Sequence, residues 1–365
     1  MTDYRSPLLD FDGAVTAGGV DEGIAWHYGD PLREQRLTAS GAGLLDQSNR
    51  DVLVVPGPDR LEWLHAICSQ HLTALHDGDS TEALVLSPNG HVEQHWVLTE
   101  LGDQIWIDTE PGAADEALNY LLKMRFMKRV EPAVVTADFA VLSVLGPNAS
   151  MVLAAAGLPV PDPSAPRAIA LDGGGFVRPR IGGGKPGGVD LMLPRADLAN
   201  VAARLRTAGA APIGSWAAAA GRIEHRRPRL GFDTDHRTIP HEVGWIGTAV
   251  HLDKGCYRGQ ETVARVQNLG KPPRRIVLLY LSGENEQLPP PGTPIERDGR
   301  PVGFLGTAVH HYELGPIALA VLKRTVSDAD TLTVAGQSAA IDPDDAQAQV
   351  QSGFAGRVGP APTTA

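Results

Sequence analysis

The sequence predicts an α+β fold followed by a small all-β domain, which we expect to be a barrel. Up to about residue 270, strand and helix patterns alternate with long returns between them, which is typical of α+β architecture rather than of a regular βαβ repeat. After Gly270-Lys271-Pro272-Pro273 the pattern changes to short strands separated by Pro, Gly and Asp turns. A chain of 365 residues is long enough for two or three domains with well-buried cores.

The elements can be placed in order along the chain. Residues 1–25 are rich in Gly and Asp and show little periodicity, so we expect an irregular arm. Apolar and β-branched stretches predict strands over 52–55, 83–86, 92–98, 134–135, 140–145 and 190–193. Apolar residues at helical spacing predict helices after Pro58, near Pro111, over 197–208 and through 217–224. The barrel strands are expected over 276–281, 302–306, 317–322 and 332–334.

These patterns divide the chain into four segments. The arm is followed by an α+β region over 26–270, with two subdomains split near residue 150. The barrel domain is expected over 271–342. The remaining residues, 343–365, are rich in Ala, Gln and Pro and are expected to be disordered.

Composition limits the classes of function. The formal net charge of −11 makes a nucleic-acid partner or broad binding to anionic lipid unfavourable. The two cysteines argue against a disulfide framework and fit a reducing compartment, and Cys68 lies near the apolar face of a predicted helix, where we expect it in the core. No apolar run of about 18 residues is present, and the acidic N-terminal segment has no secretory signal pattern. We therefore expect a cytoplasmic monomer without a membrane partner.

Basic residues are unevenly distributed in this acidic chain. Arg222, Arg226, Arg227 and Arg229 fall within eight positions. Such a cluster forms either a local anion site or a solvated basic face, and the solvated face is the commoner case.

The most informative stretch is residues 254–261, Lys-Gly-Cys-Tyr-Arg-Gly-Gln-Glu. Its glycines, Gly255 and Gly259, allow a positive φ or a close approach of the backbone to a ligand. If the stretch is extended, Lys254 and Cys256 share a face, and an ammonium about 5 Å from the sulfur favours the thiolate by roughly 3 kcal/mol. The alternative is a glycine-rich turn in which Cys256 is a small buried apolar side chain.

Together with the following Thr262-Val263-Ala264-Arg265-Val266, this stretch resembles the diagnostic motif of the YgfZ-type folate-binding proteins. These proteins are relatives of the glycine-cleavage aminomethyltransferase (the T-protein). Three further segments are similar to the aminomethyltransferase family: His27-Tyr28-Gly29, Gly43-Leu44-Leu45-Asp46-Gln47-Ser48 and Gly146-Pro147-Asn148-Ala149. The resemblance implies a three-part ring, with two α+β portions and a C-terminal barrel, around a central funnel that holds tetrahydrofolate or a one-carbon-substituted folate.

The resemblance also implies the site residues. Cys256 and Lys254 are expected to be the catalytic residues at the mouth of the funnel. The expected folate-binding residues are Arg222 and Glu224 of an Arg-Ile-Glu element, Pro240 of the turn before the motif, Glu93, Tyr257 and Gln260. From the residues alone, Arg222 and Glu224 are equally well explained as an exposed helix end with an ion pair. For Pro240 the alternative is a plain X-Pro turn.

Two departures from the transferase pattern argue against aminomethyl transfer. The Gly-x-Ile-Asp-Asp strand of the transferase matches Gly90-His91-Val92-Glu93-Gln94, so a glutamate and an amide replace its two aspartates. Its pterin-binding glutamate falls on Pro186 here. Loss of one side-chain acceptor for a buried N–H costs about 1–3 kcal/mol unless another group replaces it.

By resemblance, the predicted function is that of a tetrahydrofolate-binding protein that supports the assembly or repair of iron–sulfur clusters in partner enzymes, or acts with their assembly factors. Cys256 would act on a partner's cluster or on a one-carbon adduct. The alternatives are an aminomethyltransferase that acts on a lipoyl-bound aminomethyl group, and a folate-binding scaffold without chemistry. The histidines show no metal-ligand spacing, so no structural zinc is predicted, and one cysteine in the motif cannot hold an iron–sulfur cluster by itself.

Overall fold

The computed structural model describes residues 4–181, 187–284 and 286–345. Pro186, where the sequence departs from the transferase, and residues 346–365 of the predicted tail lie outside these ranges. Short 3-10 helices occur at Pro7–Asp10, Gly19–Asp21, Arg195–Asp197 and Pro240–Glu242.

The other elements follow one another in four stretches. The first contains β1 (Val15–Thr16), β2 (Ala25–His27), α1 (Pro31–Ser40) and β3 (Gly43–Asp46). The second contains β4 (Asp51–Pro56), α2 (Arg60–Ile67), β5 (Ser80–Leu86), β6 (Val92–Leu101), β7 (Gln104–Thr109), α3 (Ala114–Arg125) and β8 (Ala133–Val134). The third contains β9 (Phe139–Leu145), α4 (Ala149–Ala155), β10 (Ile169–Ala170), β11 (Phe176–Pro179), β12 (Gly188–Pro194), α5 (Leu198–Thr207), β13 (Ala211–Ile213) and α6 (Ser215–Glu224). The fourth contains α7 (Gln260–Leu269), β14 (Arg274–Leu281), β15 (Pro294–Arg297), β16 (Arg300–His311), β17 (Gly315–Lys323), β18 (Leu332–Val334) and β19 (Gln337–Ile341).

The first sheet is antiparallel and has the strand order β5-β6-β7-β4-β8. Helices α2 and α3 pack against it because their apolar residues recur at helical spacing and form one buried face each. Leu53, Trp63, Trp96 and Leu121 belong to this core, and Cys68 is buried with them at 1% exposure. The prediction that Cys68 is a core residue is confirmed.

The second sheet has the strand order β10-β11-β12-β9-β3-β13, and its core is closed by α4 and α5. Strand β3 lies between β9 and β13, although it precedes the first sheet in the sequence and both neighbours follow that sheet. The first sheet is therefore an insertion into the second. A split near residue 150 would separate β3 and β9 from the other four strands of their own sheet, which all follow that residue. The chain changes from one sheet to the other near 47–50 and near 135–138.

The C-terminal domain is a closed barrel with the strand order β14-β17-β16-β15-β18-β19, which confirms the predicted α+β fold with a C-terminal barrel. Alternate apolar residues such as Ile295 and Leu305 fill its interior. The packed chain continues past the predicted boundary at 342. Asp345 accepts a hydrogen bond from the N–H of Leu278 at 2.7 Å and pairs with Arg226, so these last described residues belong to the barrel.

The N-terminal arm is held by polar contacts. Its strand β1 pairs with β2, the hydroxyl of Tyr4 donates to Ser48 at 2.7 Å, and the amide of Asn49 donates to Asp21 at 3.1 Å. Apolar periodicity does not reveal such a segment, because buried apolar residues such as Leu8, Ala17 and Ile24 are far apart and do not recur at helix or strand spacing. The arm is thus ordered and forms part of the wall described next.

Candidate functional site

A cavity of about 970 Å³ lies where the arm, the two sheets, α6 and the barrel meet. Each part contributes to its wall, for example Asp21 from the arm, Glu110 after the first sheet, Asp190 from the second sheet, Arg222 from α6 and His310 from the barrel. Small-molecule sites have volumes of roughly 300–1,000 Å³ and are commonly found between domains. The size and position of this cavity therefore mark it as a candidate ligand site.

Ion pairs between arginines and carboxylates lie in the cavity wall. Arg229 donates to both carboxylate oxygens of Asp21, at 2.6 and 2.8 Å, and to Glu110 at 2.7 Å. Arg180 donates to Asp190 at 3.0 Å. Burial alone would raise the pKa values of Asp21 and Asp190, but the neighbouring arginines outweigh it and both are lowered. These carboxylates are therefore ionised at neutral pH, and each has a cation beside it.

A second ionic group in the wall is centred on Glu82. Its carboxylate accepts two hydrogen bonds from Arg227, at 2.9 and 3.0 Å, and lies 3.1 Å from Nε2 of His95. Burial favours the neutral acid, but the hydrogen bond and charge of His95, together with Arg227, bring the pKa of Glu82 down to about 2. Glu82 and His95 are thus acceptor and donor groups that are held in place beside the cavity.

Arg222 lines the cavity, but the protein itself uses most of its donors. Nη1 donates to the carboxylate of Asp233 and, at 2.6 Å, to the carbonyl oxygen of Arg227, while Nη2 donates to the hydroxyl of Thr307 at 2.7 Å. The side chain of Asp233 is completely buried. Arg222 is therefore first of all the counter-ion of Asp233, and it ties α6 to β16.

An aromatic pair provides a flat apolar part of the wall. The rings of Trp26 and Trp216 are stacked, with centroids 4.7 Å apart and planes 15° from parallel, and both residues line the cavity. Trp26 is 42% exposed. The indole N–H of Trp216 is buried and has no hydrogen-bond partner within the described chain.

Cys256 lies at the surface, and it is not among the residues that line the cavity. The interpretation of Cys256 as a buried apolar side chain is therefore wrong. Gln260, the first residue of α7, contacts it: Oε1 of Gln260 accepts the N–H of Tyr257 at 2.8 Å, and Nε2 lies 3.7 Å from the sulfur. Because a backbone N–H can only donate, this contact fixes the amide so that its NH₂ group faces Cys256.

The two glycines of the motif differ in what they do. Gly259 has a φ of +82°, and a Cβ there would lie 2.5 Å from the carbonyl oxygen of Ser87. Only glycine fits where the start of α7 packs against the turn between β5 and β6. Gly255 does not have a positive φ, and a Cβ there would point into open space, with no surrounding atom within 4 Å.

The side chain of Lys254 does not share a face with Cys256, as it would in an extended strand, but points to the end of α2. Its ammonium group donates to the carbonyl oxygens of His65 and, at 2.6 Å, Cys68, at the C-terminal end of α2. A cation in that position is stabilised by the helix dipole and by the unpaired carbonyls of the last turn. Burial lowers the pKa of Lys254. The condition of an extended segment is not met, because residues 251–259 form a turning loop, as in the alternative of a glycine-rich turn. The loop leads into a helix that apolar spacing did not reveal.

Besides Gln260, which contacts Cys256 and does not line the cavity, two more of the expected folate-binding residues lie near Cys256 rather than in the cavity. Glu93 accepts a hydrogen bond at 2.9 Å from Arg258, the second residue after Cys256. Tyr257 is half-buried, and burial raises its pKa to about 12. Neither residue lines the cavity.

Pro240 and Glu224 also lie outside the lining of the cavity. Pro240 is buried and begins a short 3-10 helix. The carboxylate of Glu224 is 43% exposed and lies 3.6 Å from Nε2 of His311. Of the residues that the resemblance implied, the structure brings Arg222 to the cavity and gathers the others elsewhere.

Buried side chains separate Cys256 from the cavity. His95, in the wall, stacks on Trp245 with centroids 5.0 Å apart. Trp245 belongs to an apolar cluster against which Tyr257 packs. A short series of contacts therefore connects the cavity with the loop that carries Cys256, although the two face different surroundings.

The arginine cluster of the sequence is the signal that could have identified the charged wall. The expectation of a solvated basic face is wrong, because each arginine pairs with a carboxylate, which lies 11 residues away for Arg222 and more than 100 residues away for the other three. The pairs are Arg222 with Asp233, Arg226 with Asp342 and Asp345, Arg227 with Glu82, and Arg229 with Asp21 and Glu110. The positions of those carboxylates could not be read from sequence spacing.

In the three described ranges, no group of three or more His, Cys, Asp or Glu side chains is arranged to hold a metal ion. No helix of the described chain has the length and apolar character needed to cross a membrane.

Comparison with known proteins shows which of them share this fold or resemble this sequence. Across 92% of this chain and 94% of the other, the fold matches the crystal structure of the glycine cleavage system aminomethyltransferase T from Bartonella henselae, with a TM-score of 0.79 and 20% sequence identity. A chloroplastic protein of Arabidopsis thaliana, provisionally named a transferase, is 24% identical over 353 residues, which cover 91% of this chain and 78% of that protein. An aminomethyltransferase of Herpetosiphon aurantiacus is 26% identical over 322 residues, which cover 85% of this chain and 86% of that protein.

Two family matches cover most of the chain. Residues 24–254 match the GCVT N-terminal domain, and residues 274–348 match the CAF17 C-terminal beta-barrel domain. The first match contains both sheets and α6, and the second contains the closed barrel. The chain therefore belongs to the GCVT family of aminomethyltransferase-like proteins, in the branch with a CAF17-type C-terminal barrel to which the YgfZ proteins belong.

Proposed function

We propose that this protein binds tetrahydrofolate in the central cavity and supports the assembly or repair of iron–sulfur clusters in partner proteins through Cys256. The observation that carries the first part is the cavity of about 970 Å³ between the two sheets and the barrel. The second part rests on an exposed cysteine that an amide group contacts. We place this activity in the cytoplasm, because a reducing compartment suits a chain with two free cysteines.

The cavity wall fits a folate chemically. A folate has flat rings, a hydrogen-bonding ring edge and carboxylates, and the wall offers the stacked Trp26 and Trp216, the ionised Glu82 and several arginines. The buried N–H of Trp216 is a donor that lacks an acceptor within the described chain. In this proposal Glu82 takes the place of the acceptor that the sequence lacks at Pro186. Tetrahydrofolate carries one-carbon groups on its ring nitrogens, and the protein supplies the enclosure and the charges around it.

The loop that carries Cys256 is fixed at both ends and leaves the sulfur exposed to a partner. The loop is fixed at one end by Lys254 on the carbonyls of α2 and at the other by Gly259 and Gln260 at the start of α7. The NH₂ group of Gln260 stabilises negative charge on the sulfur by donating to it at 3.7 Å. A soft ligand that is exposed and oriented in this way suits contact with iron or with an electrophilic carbon.

The geometry favours this function over aminomethyl transfer. Glu93 is paired with Arg258 outside the cavity lining, and the amide oxygen of Gln94 accepts the indole N–H of Trp96 at 2.8 Å. Neither residue therefore supplies a free carboxylate to the cavity. The residues of this strand that line the cavity are His95 and Val97.

Calorimetry with tetrahydrofolate tests the cavity part of the proposal. Ala218 on α6 lines the cavity, and the ring in Ala218→Phe should occupy part of the space and weaken binding at least tenfold. Ala154→Phe is the matched control, because Ala154 is exposed on α4 and does not line the cavity. Absence of tetrahydrofolate binding by the wild type, or equal binding by Ala218→Phe, would refute the assignment of the cavity.

The cysteine part is tested in cells from which the gene has been deleted. The wild type should restore the activity of an iron–sulfur enzyme, whereas Cys256→Ala should not, although it still binds tetrahydrofolate because Cys256 lies outside the cavity. Full restoration by Cys256→Ala would leave a folate-binding scaffold as the better description.

A further inference from the structure

The end of α3 forms an exposed surface that is both apolar and basic. Residues 122–127, Leu-Lys-Met-Arg-Phe-Met, are all exposed, and we call them the α3 end surface. Phe126 and Met127 expose 86% and 82% of their surface. Soluble proteins seldom leave large apolar side chains clustered in water unless they contact a partner.

The backbone beneath this surface is fixed. The indole N–H of Trp63 donates to the carbonyl oxygen of Met124 at 2.8 Å, and the N–H of Lys128 donates to that of Arg125 at 2.9 Å. Phe126 has a φ of +44°, a conformation that is unfavourable for a bulky residue. The turn therefore holds these side chains outward at a cost in stability.

The α3 end surface carries unbalanced positive charge in an acidic chain. Residues 122–129 contain four cations and no Asp or Glu. Lys128 and Arg129 are paired with acidic residues near α2. Lys123 and Arg125 make no ion pair with any described residue, so their charge remains available to a partner.

This surface adjoins the loop that carries Cys256. The guanidinium group of Arg258, two residues after Cys256, lies 5.9 Å from the ring centroid of Tyr120 on α3. Met124 is four residues further along the helix and so lies on the same side as Tyr120. Leu252, four residues before Cys256, adds another apolar side chain, which is 40% exposed.

We propose that the α3 end surface docks an acidic protein that presents apolar side chains between carboxylates, and that docking there brings this protein against Cys256. The inference rests on the proposed function, since the docked protein is the iron–sulfur protein on which Cys256 acts. Methionine and phenylalanine give adaptable apolar contacts, and Lys123 and Arg125 provide charge complementarity. A protein fits better than an anionic bilayer, because a bilayer would face much of a chain whose net charge is −11.

Restoration of iron–sulfur enzyme activity in cells that lack the gene is the first test. Lys123→Glu/Arg125→Glu and Phe126→Ser/Met127→Ser should each restore less than about a tenth of the wild-type activity, while thermal stability and tetrahydrofolate affinity stay unchanged. Arg300→Glu/Arg324→Glu is the matched control, because both arginines are exposed on the barrel. If the wild type restores activity and the surface variants restore it equally, the docking surface is refuted while the proposed function stands.

Direct binding is the second test, and it decides the case in which the wild type fails to restore activity. The probe is a plant-type [2Fe–2S] ferredoxin, chosen as an acidic iron–sulfur protein, at about 50 and about 300 mM salt. Binding should weaken with salt and by at least tenfold in both surface variants. Absent binding, or binding that the variants do not change, overturns the proposal. The proposal is also overturned if the wild type sediments with vesicles containing about 30% phosphatidylserine and the two surface variants do not. The surface would then bind membrane.

Discussion

Replacing Arg222 by alanine should destabilise the fold more than it weakens folate binding. The carboxylate of Asp233 is completely buried, and it loses its only side-chain cation within the described chain when Arg222 is removed. Two backbone donors remain, the N–H of Arg229 at 2.8 Å and the N–H of Thr307 at 2.6 Å. Breaking a buried pair on one side costs about 3–5 kcal/mol. Because the side chain of Arg222 is 19% exposed, water can replace part of its interaction with Asp233. We therefore expect a loss of unfolding free energy at the lower end of this range, about 3 kcal/mol.

Urea unfolding measures this cost, and two further variants assign its cause. Arg222→Lys keeps the charge but cannot reach Asp233, Arg227 and Thr307 together, so about half of the loss should remain. Arg222→Ala/Asp233→Asn removes both charges and should be more stable than Arg222→Ala alone. The reasoning would be wrong if the unfolding free energy of Arg222→Ala lay within about 0.5 kcal/mol of the wild-type value while its tetrahydrofolate affinity fell more than tenfold. Arg222 would then act mainly on the ligand.

Three other predictions follow from the site. At neutral pH, Cys256 should be alkylated at least about 100-fold faster than Cys68, because Cys68 is buried and burial raises its pKa. Lys254→Ala should leave the alkylation rate of Cys256 within about twofold of the wild type. A clearly slower rate in that variant would indicate that the ammonium group acts directly on the sulfur. The folded pKa of Glu82, about 2, lies below its ordinary value of 4.5, so its contribution to stability is complete above pH 4.5 and is lost, by roughly 3 kcal/mol, as the pH falls toward 2. Urea unfolding between pH 5 and pH 2 should therefore show a loss of stability that is smaller by about this amount in Glu82→Gln than in the wild type, and an equal loss in both would contradict this. Release of ammonia and methylene-folate from a loaded lipoyl carrier should be negligible because Glu93 lies outside the cavity lining, and turnover at about 1–10³ per second would contradict this.

The fold was predictable from the sequence where local patterns carry the information. The change from mixed elements to short strands after residue 270 marks the barrel, and the family motifs carry the rest of the architecture. The helix α7 was not predicted, because Val263 is its only fully buried apolar residue and gives no repeating pattern. The alternation expected for an extended strand was therefore applied to Lys254 and Cys256, which lie in a turning loop.

The candidate site was predictable only in part. The motif identifies Cys256, and the resemblance identifies Arg222. The partners of the arginines are set by contacts between distant segments, such as Arg227 with Glu82, and no sequence spacing encodes them. Likewise, Trp26 and Trp216 become neighbours only because the arm folds back over α6.

The insertion of the first sheet into the second has a consequence for synthesis of the chain. When β3 leaves the ribosome it has no partner, because β9 and β13, which lie on either side of it, are made only after the whole of the first sheet. Residues 51–134 have a core of their own and can begin to fold during that interval. Strand β3 must meanwhile wait with two unpaired edges, which exposes it to pairing with other nascent chains. A nascent chain that stalls before residue 139 should therefore be the form of this protein that depends most on chaperones.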